Sequence, residues 1–360
     1  MRRSLILGAL ALCGVLLRAN AEPEEPLTGE VRVHYIAADE IDWNFAPDGN
    51  VLAEMDCCGE AKPWLARGPD GRPPIFRKAV FREYTDDTFT QLKARPPAWD
   101  HVGLLGPILR AEVGDRIEVT VKNNASFPVS FHAHGVHYLK PYEGAHYADG
   151  TTGSDKDDDS IAPGESYTYR WGVPTRAGPG PSDPSSIVWL YHSHINSPKD
   201  VNTGLVGALI VTRHGTARRD GSPTDIDREF VTLFMNLDEP ESWLAPANAL
   251  LLNPAPAGNT NRFHSINGFV FGNLPMLRMK NGERVRWYLV ALGGEQDLHT
   301  PHWHGNTVLH EGRRTDVIEL LPASMKVADM RADNPGIWLF HCHVSDHIKA
   351  GMAGRYAVEK

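Results

Sequence analysis

Cys342, His347 and Met352 stand at a Cys-x4-His-x4-Met spacing, with His341 and His343 on either side of the cysteine. A thiolate, an imidazole and a thioether are soft and borderline donors that suit an electron-transfer copper with a long axial methionine. On an extended strand neighbouring side chains point to opposite faces, so His341 and His343 look away from Cys342. A metal bound there would be separated from the cysteine sulfur by little more than backbone.

Three further clusters share this chemistry: His132-Ala133-His134, His192-Ser193-His194, and His299-Thr300-Pro301-His302-Trp303-His304. With His341, His343 and His347 they account for ten of the 17 histidines, too concentrated for ordinary structural use. A single His-x-His pair says little, but four clusters in this order point to several metal ions.

The elements that must hold these residues read as strands. Gly (33) and Pro (27) are frequent and amphipathic helical patterns are scarce, which predicts many short strands. Arg116–Val121 and Arg284–Leu289 alternate polar and apolar residues. Each half has a Gly-Asp/Glu-Arg turn into a strand (Gly114-Asp115-Arg116, Gly282-Glu283-Arg284), then one His-x-His and later another. The chain is therefore expected to be all-β, two copies of a Greek-key β-sandwich. The polar stretch His214–Asp227 is the expected seam, giving domains over 22–215 and 216–360.

The chain resembles the multicopper oxidases, and among them the ceruloplasmin and hephaestin branch. The resemblance rests on Tyr35–Ala46, His101-Val102-Gly103-Leu104-Leu105-Gly106-Pro107, Ala111–Asp115, Tyr191–His194, Ile266-Asn267-Gly268 and Phe271–Pro275, besides the histidine clusters. It implies two cupredoxin-like domains and four coppers per chain equivalent. The first domain has Ser193 where the second has Cys342, so the blue copper falls in the second, on His299, Cys342, His347 and Met352. The other eight histidines match a trinuclear cluster: His132 and His302 on one copper, His134, His192 and His343 on another, His194, His304 and His341 on the third. Two-domain relatives build that cluster between neighbouring chains, which implies a ring-shaped homotrimer.

The resemblance also bears on substrate. Asp346 and His264 match an iron site beside the blue copper, a hard carboxylate and an imidazole. The family has a glutamate five residues before that histidine, where this chain has Asn259. The expected reaction is one-electron oxidation, of ferrous iron first and of phenols or aromatic amines as the alternative, coupled to four-electron reduction of dioxygen to water. Cuprous ion is a third substrate candidate, although no methionine-rich segment supports it. Glu143 and Asp149, after the first His-x-His, are candidates for proton transfer. Asp155, Asp158 and Asp159 resemble a calcium loop.

Composition narrows the alternatives. A net charge of −9 argues against a nucleic-acid partner. Residues 1–21 read as a secretory signal: Arg2 and Arg3, the apolar run Leu5–Leu17, and Ala19-Asn20-Ala21 for cleavage. That predicts a secreted or periplasmic protein with no membrane span. Cys57 and Cys58 are adjacent and strained as a mutual disulfide; they could be free, bridge chains or bind metal. A copper nitrite reductase would carry its blue copper in the first domain, and a non-enzymatic relative would have lost ligands.

Overall fold

The computed structural model describes residues 27–55, 61–65, 74–252 and 261–360. The signal segment, Cys57, Cys58 and Asn259 lie outside the described residues. The first half contributes β1 (Val31–Asn44), the short α1 (Lys62–Leu65), β2 (Ile75–Tyr84), β3 (Leu109–Glu112), β4 (Arg116–Asn123), β5 (His132–Ala133), β6 (Ser166–Gly172), β7 (Ser186–His192), α2 (Ser197–Thr203) and β8 (Val206–Thr212). The second contributes β9 (Arg228–Asp238), β10 (Arg262–Ile266), β11 (Leu277–Lys280), β12 (Arg284–Ala291), β13 (Pro301–Trp303), β14 (Val308–His310), β15 (Arg313–Thr315), β16 (Met325–Arg331), β17 (Gly336–Cys342), α3 (Ser345–Lys349) and β18 (Ala353–Glu359). The all-β expectation holds.

Strands of the two halves do not mix. Sheet β2-β1-β4-β6 faces sheet β3-β8-β7-β5, and sheet β10-β9-β12-β16-β14-β15 faces sheet β11-β18-β17-β13. The alternation in β4 puts Ile117, Val119 and Val121 into the first core beside Phe131, Tyr169 and Trp171. Trp287, Trp303, Phe340 and Tyr356 fill the second core, and Cys342 and Met352 sit in it.

A third apolar layer lies between the sandwiches. Val188 and Leu190 of β7 and Ala208 and Ile210 of β8 meet Val231 and Leu233 of β9 and Tyr288 and Val290 of β12. Both faces of these sheets are therefore covered, which explains why every residue of β8 is buried. It also corrects the simple alternation read for β12. Arg286, expected to face water, is 1% exposed. It forms a bidentate pair with Asp329 (2.7 and 2.8 Å) and donates to Ser185 and Ser186 of the first sandwich.

Polar contacts fix the register of this interface. Asn267, in the left-handed region at φ 54°, donates to the carbonyls of His101 (2.7 Å) and Val231 (2.9 Å). Lys78 and Glu239 form an ion pair with both side chains fully buried. Among the described residues no helix is long and apolar enough to cross a membrane.

Candidate metal centre

The register of two short strands places the histidines. β5 pairs with β7 so that His132 opposes His192, and β13 pairs with β17 so that His302 opposes His341. Directly opposed residues share a face, and residues two apart share it as well. Each sandwich therefore gathers four imidazoles on one patch. Neighbouring ring centroids in the first quartet, His132, His134, His192 and His194, are 5.2–5.6 Å apart. Neighbouring centroids in the second, His302, His304, His341 and His343, are 4.7–5.4 Å apart.

Second hydrogen bonds aim several of these rings. His132 Nδ1 bonds the Glu143 carbonyl (2.7 Å), His192 Nδ1 the Ser193 carbonyl (2.8 Å) and His341 Nδ1 the Cys342 carbonyl (2.8 Å). A carbonyl only accepts, so the proton sits on Nδ1 and Nε2 keeps its lone pair for a metal. His192 Nε2 lies 3.1 Å from His134 Nε2, and His341 Nε2 lies 3.2 Å from both His304 Nε2 and His302 Nδ1. Nitrogens this close suit a shared cation. Burial keeps the rings neutral and ready to ligate, pushing His192 down to about 3 and His134 and His341 to about 4.

Cys342 points to the other side of β17, into the second core, as the strand period requires. Its Sγ is 3.6 Å from His347 Nδ1 and 4.0 Å from His299 Nδ1, and the two nitrogens are 3.1 Å apart. All three residues are buried. Met352 is fully buried beside them, its carbonyl accepting from the Cys342 amide (3.0 Å). Burial pushes the Cys342 thiol up, so a metal must displace a proton there.

Sequence reasoning missed Asp297. Its carboxylate lies 3.3 Å from His299 Nε2, which fixes the ring's proton on the far nitrogen and leaves Nδ1 free. The available signal was an acidic residue two positions before a ligand. Asp316, 3.6 Å from His302 Nε2, was missed as well. It lines an open cavity of about 490 Å³ with His302 and His304.

The substrate candidates fall near the Cys342 site. The His264 ring is 4.7 Å from that of His347, and its buried Nδ1 has no hydrogen-bond partner. Asp346 precedes His347 in the first turn of α3 and is exposed. Glu143 gives its side chain to Lys140 and Tyr147, so its contact with the quartet is through its carbonyl. Asp149 is paired with Lys140 (2.9 Å) and Lys156 (2.7 Å). Of the calcium candidates, Asp155 is exposed, Asp159 is paired with Lys156 (3.2 Å), and Asp158 is buried with Oδ1 unpartnered.

The two quartets are not joined: among the described residues, every ring contact of the eight histidines with another histidine stays within its own sandwich. His304 and His343 are exposed.

Comparison with known proteins identifies the family. Multicopper oxidase family models match residues 101–215 and 244–360. The chain is 44% identical over 347 residues to the human protein named ferroxidase HEPHL1, covering 92% of this chain and 30% of that one. It is 39% identical to human hephaestin (91% and 28%) and 37% identical to human ceruloplasmin (93% and 32%). The chain thus spans about a third of the length of these relatives. A crystal structure of a multicopper oxidase superposes with TM-score 0.59 at 23% identity, covering 91% of this chain and 89% of that one. The structure titled multicopper oxidase mgLAC gives 0.60 at 20% identity, with 92% and 86% covered. The fold is thereby a pair of cupredoxin-like sandwiches, and the chain belongs to the multicopper oxidase family.

Proposed function

We propose that the protein is a copper-dependent oxidase that takes electrons singly from ferrous iron and passes them to dioxygen, yielding water. Four coppers per chain equivalent are assigned: one on His299, Cys342, His347 and Met352, and three on the two histidine quartets. The donor set supports this, since a buried thiol, two imidazoles and a thioether fit a blue copper and all-imidazole sites fit copper in both oxidation states. When bound, copper supplies reversible one-electron chemistry. The protein holds the ligands, keeps water from Cys342 and links it to His341 and His343 through a single strand.

One observation carries the quaternary reading: the two quartets of one chain make no contact. A complete cluster then needs the first sandwich of one subunit against the second of its neighbour, and a closed ring of three satisfies every copy. Leu139, near the first quartet, and Ile337, on the strand that carries the second, are 61% and 67% exposed, as expected of surface awaiting a partner. The domains are assigned to 22–215 and 216–360. Residues 1–21 are assigned to export, so that the mature protein works outside the cytoplasm. The unpartnered Asp158 carboxylate oxygen favours a cation, calcium by its oxygen chemistry, in the acidic loop.

Iron is favoured by the bare His264 Nδ1 and by Asp346 beside His347, in a chain whose relatives are named ferroxidases. Aromatic donors are the second reading. Asn259 replaces a carboxylate, and the bridge between His299 and Leu320 sets Leu298 and Leu321 across from one another, 51% and 58% exposed. Oxygen uptake with each donor separates the two. The double variant Asp346→Ala/His264→Ala is expected to raise KM for ferrous ion about ten- to a hundred-fold and to spare a bulky phenol. Equal losses for both donors would end the iron assignment.

A further inference from the structure

The copper-site backbone of the second sandwich recurs in the first without its donors. Cys342 lies between two histidines; its amide bonds the Met352 carbonyl (3.0 Å) and its Sγ accepts from the Thr300 amide (3.4 Å). Ser193 also lies between two histidines; its amide bonds the Leu205 carbonyl (3.1 Å) and its Oγ accepts from the Ser130 amide (3.1 Å). α3 presents His347 five residues before Met352, and α2 presents Asp200 five residues before Leu205. Asp200 therefore stands where the second sandwich has a copper ligand.

Asp200 is fully buried and, among the described residues, forms no ion pair. Its carboxylate accepts from Trp243 Nε1 on Oδ1 (2.7 Å) and from the Asn196 amide on Oδ2 (2.9 Å). Burial still pushes the carboxyl up despite these donors. A buried carboxylate without a counter-ion is costly, and a donor on each oxygen offsets part of that cost. The Asn196 amide belongs to the turn that follows His192 and His194. The other donor comes from the second half of the chain, where Trp243 stacks on Phe127 (5.5 Å). Ser130 closes the arrangement: its Oγ accepts from the His194 amide (2.9 Å) and donates to the Gly144 carbonyl (2.7 Å).

We propose that Asp200 is a positioning residue for the first histidine quartet, clamping the Ser193–Asn196 turn with hydrogen bonds as metal ligation clamps the equivalent turn in the second sandwich. The inference rests on the reading that the quartets hold copper. Ligand sites lose affinity when their support is loose by about 1 Å, so the clamp sets copper retention in the cluster and leaves the blue site alone.

Full-length metal-free protein, refilled with copper, tests this with Asp200→Asn and Trp243→Phe. Three quantities are read: copper per chain, blue absorbance, and hydrogen exchange at the Asn196 amide before copper is added. In Asp200→Asn an NH2 group replaces one of the two acceptor oxygens, so one of the two donors loses its partner. The expected result is cluster copper held about ten- to a hundred-fold more weakly, faster exchange at that amide, and unchanged blue absorbance. Trp243→Phe keeps the ring on Phe127 and gives a smaller effect of the same kind; it carries the test if Asp200→Asn does not fold. Wild-type copper retention in the variants overturns the proposal. So does a parallel loss of cluster copper, blue colour and melting temperature, which would make Asp200 an ordinary core residue. A wild-type chain that takes up only the blue copper sinks the quartet reading, and this inference with it.

Discussion

Replacing Asp297 by asparagine separates the geometry of the blue-copper site from its protonation. Asp297 is 4% exposed; Oδ1 accepts from the Asn236 amide (2.7 Å) and lies 3.3 Å from His299 Nε2, while Oδ2 accepts from the Gly294 amide (2.8 Å). An ionised carboxylate only accepts, so His299 carries its proton on Nε2 and turns a bare Nδ1 toward Cys342. Asparagine fits the space but has one acceptor for three donors. If its NH2 group faces the ring, His299 adopts the opposite tautomer, with the proton on the nitrogen the metal requires. The lost charge-assisted bond is worth ~1.5–3 kcal/mol, or about ten- to a hundred-fold in copper affinity, within the range for such outer partners. The assay is a chelator competition on metal-free protein read at the blue band. Asp346→Asn is the comparison: exposed, it should change affinity by no more than about two-fold. Wild-type affinity and an unshifted spectrum in Asp297→Asn would refute the tautomer argument.

Two further predictions concern the interface between the sandwiches. Lys78→Met strands the Glu239 carboxylate in a fully buried site and should cost ~3–5 kcal/mol in denaturant unfolding, while adding Glu239→Leu should recover most of it; a single variant as stable as wild type would show that the pair is solvated. His101 is buried and neutral, accepting from the Val231 amide (3.2 Å), and burial lowers it from 6.5 to about 4. The unfolded chain takes up this proton first as pH falls, so stability should drain from about pH 6.5 down to about 4, by up to ~3 kcal/mol. In copper-loaded protein His101→Gln should flatten that part of the melting profile, and an unchanged slope would place the titration elsewhere.

The candidate ligands were legible because a metal site of this kind imposes local spacing: Cys342, His347 and Met352 lie on one run, and each His-x-His shares a strand face. The supports were not. Asp200 is completed by Trp243 and Asp297 by Asn236, contacts made only when distant segments meet. Arg286 fits an outward strand position by pattern, and only the packing of one sandwich on the other turns that face into an interior. Repeated motifs likewise do not say whether the quartets of one chain face each other; among the described residues their ring contacts with other histidines stay within each sandwich.

Subunit mixing tests that separation directly. One variant loses the first quartet through His132→Ala/His134→Ala, the other loses the second through His302→Ala/His304→Ala. Each alone should be inactive. Unfolded together at equal amounts, refolded and loaded with copper, they form interfaces at random, and about a quarter should pair two intact quartets. Recovery of about a quarter of wild-type oxygen uptake is expected. A mixture as inactive as its parts, from subunits shown to have exchanged, would mean that the cluster lies within one chain.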